Sequence, residues 1–152
     1  MSESAPSPIV DSDKEWVKKQ IDEYVATDGA KPTFRGGAPL VLLTTQGRKS
    51  GEWRRTCLIG SVDTGGDGKD VLIVASMGGA PKHPVWYLNL EANPRVWVQN
   101  GADTFWATAH TATPAEKPRL WDFMVGLYAD YADYQTKTTR DIPVVILTPD
   151  AD

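Results

Sequence analysis

Four cations crowd into ten residues of this chain. Arg48, Lys49, Arg54 and Arg55 lie between Gln46 and Arg55 against one anion, Glu52. The window is therefore +3 (4 − 1) in a protein of formal net charge −4. Two of these cations sit in the turn bounded by Gly47 and Gly51, where backbone N–H groups can also point at an anion. Arg offers a planar donor fork and Lys a point charge, a pairing suited to phosphate and carboxylate groups. Residue types alone leave two readings open, an anion site and a solvated basic hairpin tip. The turn is not a Walker loop, because Gly-Arg-Lys-Ser lacks the upstream glycine spacing, and no dinucleotide fingerprint occurs in the glycines of 65–68 or 78–79.

Tyr128, Tyr131 and Tyr134 form a second constellation. At steps of three they share one side of a helix. A phenol combines a proton donor with a flat surface, useful beside a planar ring or a polarised carbonyl; an aromatic stripe packed on the core is the plainer reading. Ser76 closes a strand before Met77, Gly78 and Gly79, so its hydroxyl and the amides after it can meet a ligand edge. His83 and His110 have no Cys, His or carboxylate at a metal-ligand spacing, and no metal is expected. No nucleophile elbow supports a Ser-His-Asp triad.

The elements that must position these groups read as mainly β with peripheral helices. Residues 1–11 read as a loose Ser/Pro tail, and Ser12 with Glu15 as the capping box of an amphipathic helix over 13–26. Its apolar face suits core cover better than lipid, since Lys14, Lys18 and Lys19 are offset by Asp13, Glu15, Asp22 and Glu23. Strands are expected over 39–45, 53–59, 71–76, 95–99, 103–110 and 142–147, with a tight connection at Asn100 and Gly101. A short helix is expected over 84–92. Thr113, Pro114 and Glu116 mark the start of a later one, which breaks near Gly126 or Ala129. Hairpin order and short intervals leave no room for repeated βαβ crossovers, so a closed or half-closed barrel is expected, as one domain over 12–152.

Bulk composition narrows the function classes. The charge of −4 gives no global attraction to nucleic acid or anionic lipid. The single Cys57 precludes an internal disulfide and fits a reducing, cytoplasmic setting. The N-terminal residues lack the basic and apolar regions of a signal peptide, and no apolar run approaches the roughly 20 residues of a membrane span.

Three segments in series carry a resemblance. They are 43–51 (Leu-Thr-Thr-Gln-Gly-Arg-Lys-Ser-Gly), 75–82 (Ala-Ser-Met-Gly-Gly-Ala-Pro-Lys) and 84–94 (Pro-Val-Trp-Tyr-Leu-Asn-Leu-Glu-Ala-Asn-Pro). Together with the tyrosines and Arg140 to Val144, they resemble the deazaflavin-dependent nitroreductase and quinone reductase family of actinobacteria, over roughly 12–149. The resemblance implies a split β-barrel of the flavin-mononucleotide-binding type and coenzyme F420 as cofactor. It implies that Arg48, Lys49 and Arg54 neutralise the cofactor's anionic tail, with Gly47, Ser50 and Gly51 shaping its cradle. Ser76, Met77, Gly78, Trp86 and Asn89 correspond to the segments beside the cofactor. Ile59, Tyr128, Tyr131 and Tyr134 fall in the substrate pocket, where Tyr131, Tyr128 and Ser76 are the candidate catalytic groups. The expected reaction is hydride transfer to a small, hydrophobic, electron-poor enone, quinone or nitroaromatic.

Two positions depart from the family pattern. Ile59 stands where a pocket tyrosine occurs, and Met77 where a lysine occurs beside the cofactor. Cofactor binding is expected to survive and nitroimidazole activation to weaken. A flavin-mononucleotide oxidoreductase and a non-catalytic deazaflavin or lipophile carrier are the alternatives. The oligomeric state, monomer or homodimer, and a peripheral membrane contact through 13–26 stay open.

Overall fold

A computed structural model describes residues 4–31 and 37–150. Seven strands form one sheet: β1 (Ile9–Asp11), β2 (Leu40–Gln46), β3 (Trp53–Val62), β4 (Val71–Val74), β5 (Arg95–Asn100), β6 (Asp103–Thr111) and β7 (Val144–Pro149). Their order is β1-β3-β2-β5-β6-β7-β4, and a further β3–β4 pairing closes the last six into an antiparallel barrel. Closure leaves no free edge around most of the barrel. Val41, Leu43, Ile73, Val96, Val98, Val145 and Leu147 fill the interior. Val96 and Val98 point inward, and the near-continuous apolar run of β7 takes a central place between β6 and β4, as the sequence pattern implies.

The barrel is closed but not seamless. β3 is ten residues long and changes partners along its outer side. It pairs in parallel with β1 as far as Asp11 opposite Arg55, and with β4 from Gly60 opposite Ile73. Residues 56–59 between them pair only with β2. This interruption opens the barrel wall.

Four helices surround it: α1 (Glu15–Thr27), α2 (Val85–Ala92), α3 (Lys117–Leu127) and α4 (Asp130–Thr136). None among the described residues is long and apolar enough to cross a membrane. Helix α1 lays Val17, Ile21 and Tyr24 on Leu40 and Leu42. The Tyr24 hydroxyl donates to Leu40 O (3.0 Å) and accepts the Gly101 N–H (2.7 Å), tying the helix to the β5–β6 turn. Asp28 ends α1 in the left-handed conformation (φ 50°).

Several expectations need correction. Ile9–Asp11, read as tail, forms β1, because Asp11 meets Arg55 and the Ser12 N–H reaches Arg55 O (3.2 Å). Ser12 does not cap α1: its hydroxyl accepts the Lys14 N–H (3.3 Å), and Lys14 is the capping position without a side-chain bond. Asn100 pairs with Asp103, so the tight turn is Gly101 and Ala102, with Gly101 taking φ +65°. The capping box at Thr113 is present in both directions, with Thr113 N–H to Glu116 Oε1 (2.9 Å) and Glu116 N–H to Thr113 Oγ1 (3.2 Å), although regular helix begins only at Lys117.

Candidate active site

The break in the barrel wall opens into a cleft of about 560 Å³. Its floor is the β3 segment 56–59, whose outer edge lacks a neighbouring strand. Ser76, Met77 and Gly78 form one side, and Pro84, Val85, Trp86 and Asn89 of the α2 region continue it. Tyr128, Tyr131 and Tyr134 also line it, as do α1 and the chain leading into it, from Asp11 to Gln20. The sequence-predicted residues Arg54, Ile59, Ser76, Met77, Gly78, Trp86, Asn89 and all three tyrosines are thus brought to one cavity.

The loop after β4 is shaped by backbone conformation. Met77, Gly78 and Gly79 have φ of 46°, 64° and 81°, three successive left-handed residues. Only glycine adopts this region freely, so Met77 carries local strain, and its side chain is left half-exposed at the cleft mouth. The loop is held from behind by Arg140. Its guanidinium donates to Ala80 O (2.8 Å), Ala75 O (3.1 Å) and Ser76 O (2.7 Å), and lies 3.0 Å from His83 Nδ1. Sequence reasoning gave Arg140 no role. A half-buried Arg whose partners are carbonyls and a histidine some 60 residues away leaves no local pattern to read.

The tyrosines do not lie on one continuous helix. The chain breaks at Tyr128, which takes an extended conformation (φ −149°) after α3, and Tyr131 and Tyr134 follow on α4. They still converge, with ring centroids 5.1–6.2 Å apart. Tyr128 and Tyr134 share a hydroxyl–hydroxyl bond of 3.1 Å. Tyr131 is 3% exposed, lines the cleft, and its hydroxyl has no hydrogen-bond partner among the described residues. Burial pushes both the Tyr128 and Tyr131 phenols well above the ordinary range. They are therefore proton donors, not phenolates, throughout the physiological pH range.

The basic turn stands beside the cleft and does not line it. Gly47 donates to Glu52 O (2.7 Å) and Gly51 to Gly47 O (2.9 Å), while Ser50 Oγ accepts the Glu52 N–H (3.1 Å). The Arg48 N–H is anchored on Asn89 Oδ1 (3.1 Å), and Asn89 is a cleft residue. The +3 window is weaker than it reads. Arg54 pairs with Glu52 (2.9 Å), half-exposed on both sides, and Arg55 is held by Asp11. Arg48 and Lys49 are exposed, with no ion-pair partner among the described residues. Arg55, one of the four cations of the window, and Cys57 also line the cleft, together with Asp11 and Thr45, which sequence reasoning did not single out. Burial pushes the Cys57 thiol up to about 12, which leaves it neutral and a poor nucleophile.

The chain matches the description of the F420H(2)-dependent quinone reductases over residues 16–149. An F420H(2)-dependent quinone reductase of Mycobacterium tuberculosis (strain ATCC 25618 / H37Rv) is 42% identical over 116 residues, 74% of this chain and 75% of the relative. A solved structure described as an F420-H2 dependent reductase is 42% identical, covers 78% of this chain and 99% of its own, and superposes with a TM-score of 0.64. Another, described as a domain-swapped dimer, is 41% identical, covers 90% and 99%, and has a TM-score of 0.66. The mainly-β fold is accordingly the split barrel, with its opening at 56–59 of β3. With its motifs gathered around that opening, this chain belongs to the F420H(2)-dependent quinone reductase family.

Proposed function

We propose that this F420H2-dependent reductase seats its cofactor in the β3 cleft, with the anionic tail at Arg48 and Lys49, and reduces a quinone held against Tyr131. The observation that carries this reading is Tyr131, a largely buried residue whose protonated hydroxyl has no partner among the described residues and which lines an otherwise largely apolar cleft. A phenol on the cleft wall with no protein partner is available to donate to a ligand oxygen.

The residues present fit the cofactor. The unpaired strand edge of 56–59 and the broad walls of Trp86 and the loop at Met77 suit a flat ring system. Beside the cleft, two exposed cations without ion-pair partners among the described residues suit phosphate and carboxylates. Asn89 couples the two by gripping the Arg48 amide. Bound there, reduced F420 supplies the hydride.

The protein's contribution is distance, field and a proton. Tyr131 donates to the acceptor oxygen and stabilises the negative charge that grows as the hydride arrives. Ser76, after the end of β4, lines the same cleft and assists. The Tyr128–Tyr134 hydroxyl pair packs against the Tyr131 ring and fixes its orientation. Together with a proton from a tyrosine or water, the hydride completes a two-electron reduction to the hydroquinone. The apolar walls at Ile59 and Met77 favour quinones and enones over nitroimidazoles.

Two measurements test the reading. Oxidised F420, titrated by fluorescence into the cofactor-free protein, is expected to bind saturably and in preference to flavin mononucleotide. The Arg48→Ala/Lys49→Ala protein should bind it about 10- to 100-fold more weakly, two charge-assisted contacts being lost. A preference for flavin mononucleotide would reject the cofactor assignment. Tyr131→Phe should then lower kcat/KM for a soluble benzoquinone about tenfold, one hydrogen bond to developing charge, with F420 affinity unchanged. Equal turnover by the two proteins would remove Tyr131 from the reaction.

A further inference from the structure

One wall of the cleft comes from chain that precedes the family-matched stretch 16–149. Residues 4–14 run across the outside of the barrel as an arm. The Trp106 indole N–H donates to Ser4 O (3.1 Å), Pro6 is buried, and β1 adds to β3 in parallel. The arm then brings Asp11, Ser12, Asp13 and Lys14 to the cleft.

Asp11 makes a fork-to-fork pair with Arg55: Nε to Oδ1 is 2.6 Å and a terminal nitrogen to Oδ2 is 3.1 Å. Both groups line the cleft, and the Arg55 and Asp11 side chains are only 23% and 19% exposed. A bidentate pair shielded to this degree is far less weakened by water and salt than a surface pair. Without it, Arg55 would present a full, partly desolvated positive charge inside the cavity.

We propose that Asp11 is a specificity-determining residue, which takes Arg55 out of anion binding and so confines an anionic ligand to the cations of the Gly47–Gly51 turn. This rests on the cofactor reading above only for the identity of the natural ligand. The neighbouring charges do not provide the same control. Asp13 and Lys14 are exposed and offset each other, and Arg54 is already paired with Glu52. The arm thus does two things at once: it fixes the outer wall, and it sets the sign of the field at that end.

The test compares wild type, Asp11→Asn and Asp11→Glu by fluorescence titration with oxidised F420 and with its uncharged, tail-less deazaflavin chromophore. Hydrogen exchange of the Ser12 amide, bonded to Arg55 O, reports in the same proteins whether the arm stays docked. Asp11→Asn is expected to tighten F420 about 3- to 10-fold, through one freed charge at intermediate effective dielectric, and to leave the tail-less form unchanged. Asp11→Glu should behave as wild type, and Ser12 should stay protected in all three. Parallel changes for both ligands with loss of protection would make Asp11 a mere fastener of the arm and overturn the proposal. Unchanged F420 affinity would overturn it equally. If wild type binds neither chromophore, the cofactor reading fails by itself. The inference is then decided by sodium tripolyphosphate, followed by tryptophan fluorescence: tighter binding to Asp11→Asn than to the other two supports it, and equal binding overturns it.

Discussion

Arg140→Ala is expected to lower kcat/KM more than 100-fold and to destabilise the protein by about 3–5 kcal/mol, the range for leaving several buried polar groups without their charged partner. The guanidinium is the shared donor for the carbonyls of Ala75, Ser76 and Ala80, which bracket the loop lining the cleft. Each bond to a charged donor contributes about 1.5–3 kcal/mol, and truncation leaves the carbonyls facing a void. Arg140 touches no cleft space itself, so its effect on turnover runs through the position of Ser76, Met77 and Gly78. Arg140→Lys separates charge from geometry. An ammonium can serve one or two of the carbonyls but not the planar set, so partial recovery of stability with little recovery of turnover is expected. Urea unfolding and steady-state kinetics on the two variants check this. A loss below about 1 kcal/mol with normal kinetics would show that the loop holds its shape unaided.

Gly79→Ala should be nearly as damaging, from the opposite side of the same loop. A Cβ at Gly79 would lie 2.6 Å from Tyr134 O and 3.1 Å from the Lys137 Cβ. The obstacle is α4 backbone, which cannot swing aside as a side chain can, and the residue also has φ +81°. Strain and clash together are expected to cost about 2–4 kcal/mol. Relief requires moving α4, which carries Tyr131 and Tyr134, so kcat/KM should fall about 100-fold, as misplacement of catalytic groups by an ångström does. Gly78→Ala is the control. Its φ is +64° but nothing lies within 4 Å of the added methyl, so only the left-handed penalty of about 1–2 kcal/mol applies. Thermal unfolding of both variants tests the contrast. Equal destabilisation would mean that the backbone angle, not the contact with α4, governs the loop.

The two variants bracket one structural unit, the Ser76–Gly79 loop clamped between Arg140 and α4. If Ser76 and Tyr131 act as proposed, their positioning depends on that sandwich. The strain stored at Met77 persists because the clamp over-determines the loop on both sides.

Much of the architecture was legible in local pattern. Alternation fixed the inward face of β5, the continuous apolar run marked β7 as central, and Thr113 with Glu116 announced α3, since each signal acts between residues a few positions apart. The pattern misled where a distant partner decided the outcome. Ile9–Asp11 looks like tail because nothing nearby in sequence makes it a strand; Arg55, 44 residues on, does. Ser12 looks like a cap, but β1 holds the chain there and the helix starts later. The tyrosines keep a spacing of three, yet the chain turns at Tyr128, and tertiary packing of α3 against α4 restores their convergence.

The candidate site divides in the same way. By itself the sequence determined the chemistry present: a cluster of cations in a glycine turn, a set of phenols, a strand-end serine, and the family motifs that join them. Those are properties of residue type and spacing. Only the tertiary structure decided which of them act together. It set the basic turn beside the cleft and left it linked through Asn89, and it cancelled Arg55 with Asp11. It also set Tyr131 on the cleft wall with its hydroxyl unpaired among the described residues, and assigned Arg140 to hold the loop. Charge pairing and burial depend on separation in space, which falls off over a few ångströms, and separation along the chain does not report it.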